Sequence, residues 1–117
     1  MKREDVAALL PLGASAFHIL LTLAESERHG YSISKEVEAA TLGSIRLAPG
    51  TLYRQLKQMH ADGWIEPVPG ATDDDPRRRY YRLTAWGRRI AQAEAARLEE
   101  LVRVARARHL LPAGMPV

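Results

Sequence analysis

A chain of 117 residues with 46% hydrophobic and 26% charged residues is long enough for one packed domain plus an appendage, and its composition excludes a disordered polymer. It has no cysteine, which excludes a disulfide scaffold, a thiolate zinc site and a cysteine nucleophile together. The net charge of +3 is unevenly spread: acids outnumber bases from Met1 to Pro76, whereas Arg77 to Arg108 holds ten arginines against three glutamates. Such a segment is either a nucleic-acid footprint or a solvated helix face.

Residues 1–14 are read as an N-terminal arm. The longest near-apolar run, Ala14 to Ala24, is about half the ~20 residues a membrane span needs, and no cleavage pattern follows it, so a cytoplasmic protein without a membrane partner is expected. Phe17, Leu20, Leu21 and Ala24 fall on one helical face behind Ser15 as cap, which predicts a first helix ending near Glu27 to His29, with Gly30 closing it in the left-handed conformation. Ile33, Val37 and Ala40 predict a second helix over Tyr31 to Thr41, with Ser32 as a possible cap, Tyr31 packing the junction and Leu42-Gly43 as the stop. Pro49 suits the first turn of a third helix, which buries Leu52, Leu56 and Met59 and ends at Gly63. Opposite that stripe lie Thr51, Arg54, Lys57 and Gln58, flanked by Tyr53 and Gln55.

Trp64 to Val68 and Arg79 to Leu83 read as two strands of a hairpin, with Pro67 on an edge. The connecting segment, Pro69 to Pro76, is too long for a tight turn and leads into Arg77, Arg78 and Arg79. Thr84 caps a last helix running to about His109, whose stripe of Ile90, Leu98, Leu101, Val102 and Ala105 extends past what a small core can cover. Residues 110–117 form a tail.

The fold class is therefore mainly α with a small β-hairpin: a winged helix-turn-helix over residues 15–83 and a long C-terminal dimerisation helix over 84–109. A polar third helix after a short turn is the geometry that enters a major groove, where Arg54 and glutamine side chains can bond base edges and Thr51 and Lys57 can serve bases or phosphates. Ser32 and Lys35 of the second helix join Thr51, Tyr53, Arg54, Gln55, Lys57, Gln58, Arg77, Arg78 and Arg79 as candidate DNA contacts. Phe17, Ile90, Leu98, Leu101, Val102 and Ala105 are the candidate dimer interface, since an uncovered helical stripe calls for a partner.

Four blocks carry a resemblance: Phe17 to Glu25; Arg28-His-Gly-Tyr31; Pro49 to Lys57 with Asp62-Gly-Trp-Ile65; and Arg77-Arg-Arg-Tyr-Tyr-Arg-Leu-Thr84 with Gly87-Arg-Arg89. In them the chain resembles the PadR family of bacterial transcriptional regulators. The resemblance implies a winged helix-turn-helix that dimerises through its C-terminal helix, usually represses transcription and often responds to a small ligand. By position it puts the recognition helix on Pro49 to Asp62, with Thr51, Tyr53, Arg54 and Lys57 facing DNA, Tyr53 either offering its hydroxyl to a phosphate or packing against a neighbour, and the wing on Val68 to Arg79. It also implies a single dimerisation helix in place of the larger C-terminal domain of some members.

No metal or other cofactor is expected: Asp73, Asp74 and Asp75 lack the alternation of a calcium loop, and His18, His29, His60 and His109 have no ligand-pair spacing. Trp64 and Trp86 are either core residues or the lining of a pocket for a small hydrophobic effector. An enzyme is not expected, because no nucleophile and base, carboxylate pair or metal site can be assembled. The rival reading is a winged-helix protein-interaction module without DNA binding, which a basic wing and a polar third helix argue against.

Overall fold

Apolar spacing decides which helix faces meet. The computed structural model describes residues 3–68 and 79–113. Within them a 3-10 segment, Arg3–Leu9, precedes α1 (Ala14–Glu25), β1 (Arg28–His29), α2 (Gly30–Ala40), α3 (Pro49–Ala61), β2 (Ile65–Pro67), β3 (Tyr80–Leu83) and α4 (Ala85–Ala107). Ile19, Leu20 and Leu23 of α1, Ile33 and Val37 of α2, and Leu52, Leu56 and Met59 of α3 bury their side chains together, closed below by Ile65, Tyr81, Trp86 and Ile90. Each set recurs at i, i+3/i+4, the signature of one helical face turned inward.

The sheet has one strand more than the hairpin expected. Among the described residues it is three-stranded and antiparallel in the order β1-β3-β2, with Arg28 opposite Tyr81 and Ile65 opposite Leu83. Pro67 lies on the edge strand β2, where its missing N–H breaks no ladder. Pairing with β3 is why α1 stops at Glu25 rather than near His29. It also changes the role of Gly30, which opens α2 and is absent from the residues with positive φ. Two expected caps also differ. Gly13, not Ser15, precedes α1, and the side chain that caps α2 is His29, whose Nδ1 accepts the Ser32 N–H at 3.1 Å.

The turn between α2 and α3 is fixed by Thr41. Its hydroxyl donates to the Val37 carbonyl (2.9 Å) and accepts the Ile45 N–H (3.0 Å), while Gly43 N–H bonds the Glu38 carbonyl at 2.8 Å. Gly63, at φ +78°, turns the chain out of α3, so that Trp64 N–H reaches the Met59 carbonyl at 2.9 Å. Thr84 then joins two helix ends: its N–H bonds the Trp64 carbonyl at 3.1 Å, and its hydroxyl oxygen accepts the Gly87 N–H at 3.0 Å, capping α4 as expected.

The N-terminal residues are more than an arm, because Val6, Leu9 and Leu12 pack against the core. Behind them Glu94 of α4 is buried, and its carboxylate accepts from Arg97 Nε (2.6 Å) and Nη2 (2.9 Å) and from the Leu12 amide (3.2 Å). The Arg97 guanidinium, helped by the Leu12 N–H, holds this carboxyl below the usual carboxylate range against the opposing effect of burial. A carboxyl depressed by folding stabilises the native state above its unfolded value of ~4.3, and that contribution is lost as pH falls through the lower native value. The thermal midpoint is therefore expected to fall more steeply below about pH 5 than that of Glu94→Gln, read by circular dichroism. Parallel profiles for the two would contradict this role.

Candidate nucleic-acid interface

The third helix presents its charge where it has nothing apolar to bury. Arg54, Lys57 and Gln58 are exposed on the side opposite Leu52, Leu56 and Met59, and among the described residues neither Arg54 nor Lys57 makes an ion pair. Gln58 Nε2 donates to Asp62 Oδ1 at 3.0 Å, which braces the last turn. Thr51 is half-buried in the first turn. Ala48 precedes the helix without a side-chain cap and Pro49 fills its first position, so the remaining N-terminal amides of α3 are free of a capping side chain. That end of the helix carries the positive pole of its dipole, a site suited to anions.

Two flanking residues are placed differently from the polar face. Gln55 turns toward α1, where Nε2 donates to Ser15 Oγ at 3.2 Å and the side chain is half-buried. It faces the protein interior because α1 offers a hydroxyl across that flank. Tyr53 is half-buried and packs onto α2: a Cβ added at Gly30 would lie 2.7 Å from Tyr53 Cε1. Glycine at position 30 is thus set by close approach to a ring. Ser32 and Lys35 lie on the start of α2, Ser32 half-buried and Lys35 exposed with its ammonium 5.3 Å above the Tyr31 ring. Tyr31, expected inside the junction, is exposed.

Arg79 is half-buried at the foot of the wing, and the hairpin is closed there by the Val68 N–H on the Tyr80 carbonyl at 2.9 Å. Arg77, Arg78 and the acidic run Asp73 to Asp75 lie outside the described residues. Trp86 belongs to the core, whereas Trp64 is half-buried beside a cleft of about 310 Å³ between α1 and α3 that also meets Ser15, Gln55 and Met59.

The candidate dimer surface is shorter than the stripe that suggested it. Ile90 is fully buried in the core cluster, so it belongs to the protomer and is unavailable to a second chain. Phe17 packs partly against the same core and with the half-buried Leu98 lines a cleft beside Glu94. Beyond Leu98 the helix runs clear of the core, with Leu101 53% and Val102 38% exposed and Ala105 half-buried. Among the described residues no cluster of histidine, aspartate and glutamate can hold a metal ion, and no helix is long and apolar enough to cross a membrane.

The model of the PadR-like transcriptional regulator family matches residues 19–93, from the core of α1 into α4. Transcriptional regulator Rv3488 of Mycobacterium tuberculosis is 36% identical over 90 residues, covering 77% of this chain and 80% of its own length. An uncharacterized protein of Lysinibacillus sphaericus is 34% identical over 85 residues, covering 73% and 72%. Among solved structures, a PadR family transcription regulator from Clostridium difficile superposes with a TM-score of 0.65 at 24% identity, over 81% of this chain and 97% of the other. A transcriptional regulator from Clostridium thermocellum does so with a TM-score of 0.64 at 23% identity, over 92% and 96%. Both share the fold.

Proposed function

Because the chain belongs to the PadR-like family of transcriptional regulators, and hence to proteins that bind DNA rather than to enzymes, we propose that it is a homodimeric repressor reading an inverted-repeat operator. In this reading α3 lies in the major groove of each half-site, the wing arginines Arg77, Arg78 and Arg79 contact the flanking backbone or minor groove, and occupancy excludes the transcription machinery. The observation that carries it is the exposed face of α3, where Arg54 and Lys57 project without ion-pair partners among the described residues from a helix anchored by Leu52, Leu56 and Met59. A guanidinium held there can bond guanine O6 and N7 together, whereas an ammonium acts as a point charge suited to phosphate. Gln55 leaves the set of base-reading residues, since its amide is engaged by Ser15.

The test separates reading from anchoring. Arg54→Ala is expected to cost about 1–3 kcal/mol on the preferred operator, with base preference flattened at one position per half-site and little change on scrambled duplex. Lys57→Ala should weaken both duplexes alike and lower the salt dependence by about one unit for each phosphate it no longer neutralises. Fluorescence anisotropy on both duplexes across a salt series measures this. Equal weakening on the two duplexes for Arg54→Ala, with preferences intact, would make Arg54 an anchor and pass base reading to Thr51 or Gln58.

A further inference from the structure

Three aromatic rings lie in a row outside the core. Tyr31, at the start of α2, is 57% exposed, and Tyr80, the first residue of β3, is 45% exposed. Between them the His29 ring stacks on Tyr31 (centroids 6.5 Å apart, planes at 19°) and meets Tyr80 edge-on at 5.2 Å and 90°. The row is held in place by backbone geometry. His29 is the strand partner of Tyr80, and its Nδ1 accepts the Ser32 N–H at 3.1 Å, which fixes the ring.

The position of this row links the two parts of the interface. Gly30, between His29 and Tyr31, lies directly against the Tyr53 ring of α3, and Tyr80 follows Arg79 where the wing returns to the sheet. Lys35 places a cation beside it. The acids on the same helix are engaged elsewhere, Glu36 with Arg28 at 3.6 Å and Glu38 with Arg46 at 3.8 Å, while Lys35 sits over the Tyr31 ring and makes no ion pair among the described residues. Phenol hydroxyls and an ammonium on a ridge continuous with a DNA-reading helix match phosphate oxygens better than base edges, which α3 occupies.

We propose that His29, Tyr31 and Tyr80 form a ridge that seats the DNA sugar–phosphate backbone between the recognition helix and the wing, with Tyr31 and Tyr80 donating hydroxyl hydrogens, and Lys35 its ammonium hydrogens, to phosphates. His29 is a positioning residue. The proposal rests on the DNA-binding reading above and adds contacts that are independent of sequence.

A random-sequence duplex of about 30 base pairs, long enough for two half-sites, tests it by fluorescence anisotropy between about 50 and 200 mM salt. Tyr31→Phe and Tyr80→Phe keep the rings and remove only the hydroxyls. Each is expected to weaken binding about fivefold or more with the salt slope unchanged, because a neutral hydroxyl releases no counterion. Lys35→Ala is expected to lower the slope by about one per protomer. Thermal midpoints of the phenylalanine variants should match the parent. Parental affinity in both phenylalanine variants, or an unchanged slope for Lys35→Ala, would overturn the ridge while leaving the DNA-binding reading intact. A parent that binds no duplex at the lowest salt would overturn that reading itself.

Discussion

A chain carrying Leu101→Glu and Val102→Glu is expected to sediment as a monomer at micromolar concentration and to lose about a hundredfold or more of its affinity for an inverted-repeat operator. Both side chains are exposed on α4, past the point where Ile90, Ala91 and Glu94 close the protomer core, so their replacement leaves the protomer's packing intact. Four charged neighbours of that face are matched in pairs, Arg97 with Glu94 and Arg103 with Glu100 at 2.6 and 2.7 Å, and the exposed leucine and valine gain by burial. Two copies related by a two-fold axis would bury them against each other. Four carboxylates placed there without partners would each carry a desolvation cost that hydrophobic contact between the helices cannot offset. The weaker DNA binding follows from linkage: in a dimer the second half-site binds at an effective concentration in the millimolar range, which adds about 10²–10⁴ in avidity. Sedimentation at unchanged dimer mass, with normal circular dichroism, would place the interface elsewhere on the chain.

Gly87→Ala is expected to lower stability by about 3 kcal/mol or more, a fall in thermal midpoint on the order of 10 °C. The added methyl group would lie 1.9 Å from the Trp64 carbonyl oxygen and 2.8 Å from its carbon. These are backbone atoms, and they cannot swing aside as a side chain would. The Trp64 carbonyl also receives the Thr84 N–H, and Thr84 caps α4 through the Gly87 N–H itself. Making room therefore loosens the cap, the α3 exit and the register of α4 together. Gly50→Ala provides the control, since nothing lies within 4 Å of its added carbon. In the first turn of α3 that change should leave stability equal or raise it by about 0.5–1 kcal/mol. Chemical denaturation of the two variants decides the matter, and equal midpoints would contradict the close approach.

What the sequence discloses about this fold depends on whether the signal is local. Helix faces are local: Leu52, Leu56 and Met59, or Ile33 and Val37, announce their burial by spacing, while Pro49 and Gly63 mark helix ends by their backbone chemistry and Thr84 by its hydroxyl. Strand β1 is not local. Arg28 and His29 have no alternation to read, and they become a strand because Tyr80 and Tyr81 lie alongside them. The stripe on α4 is legible as a stripe, but spacing does not say which partner covers each turn, so Ile90 and Leu101 look alike although one is core and the other exposed. The candidate site divides in the same way. The outward course of Arg54 and Lys57 follows from the wheel, whereas the turn of Gln55 toward Ser15 is a contact across 40 residues. The aromatic ridge escapes a sequence reading because Tyr31 looks like a packing residue and alternation alone does not say which of Tyr80 and Tyr81 is exposed. The Arg28-His-Gly-Tyr31 block is nonetheless a signal, its glycine being small for the sake of Tyr53.

Selection of duplex fragments from a random pool by the full-length protein, followed by footprinting of the winners, tests the central claim most directly. The predicted result is enrichment of an inverted repeat whose half-site centres lie about 34–36 Å apart or a multiple of that, protected on both halves. No enrichment over nonspecific sequence, or a single asymmetric half-site bound at full affinity, would contradict it.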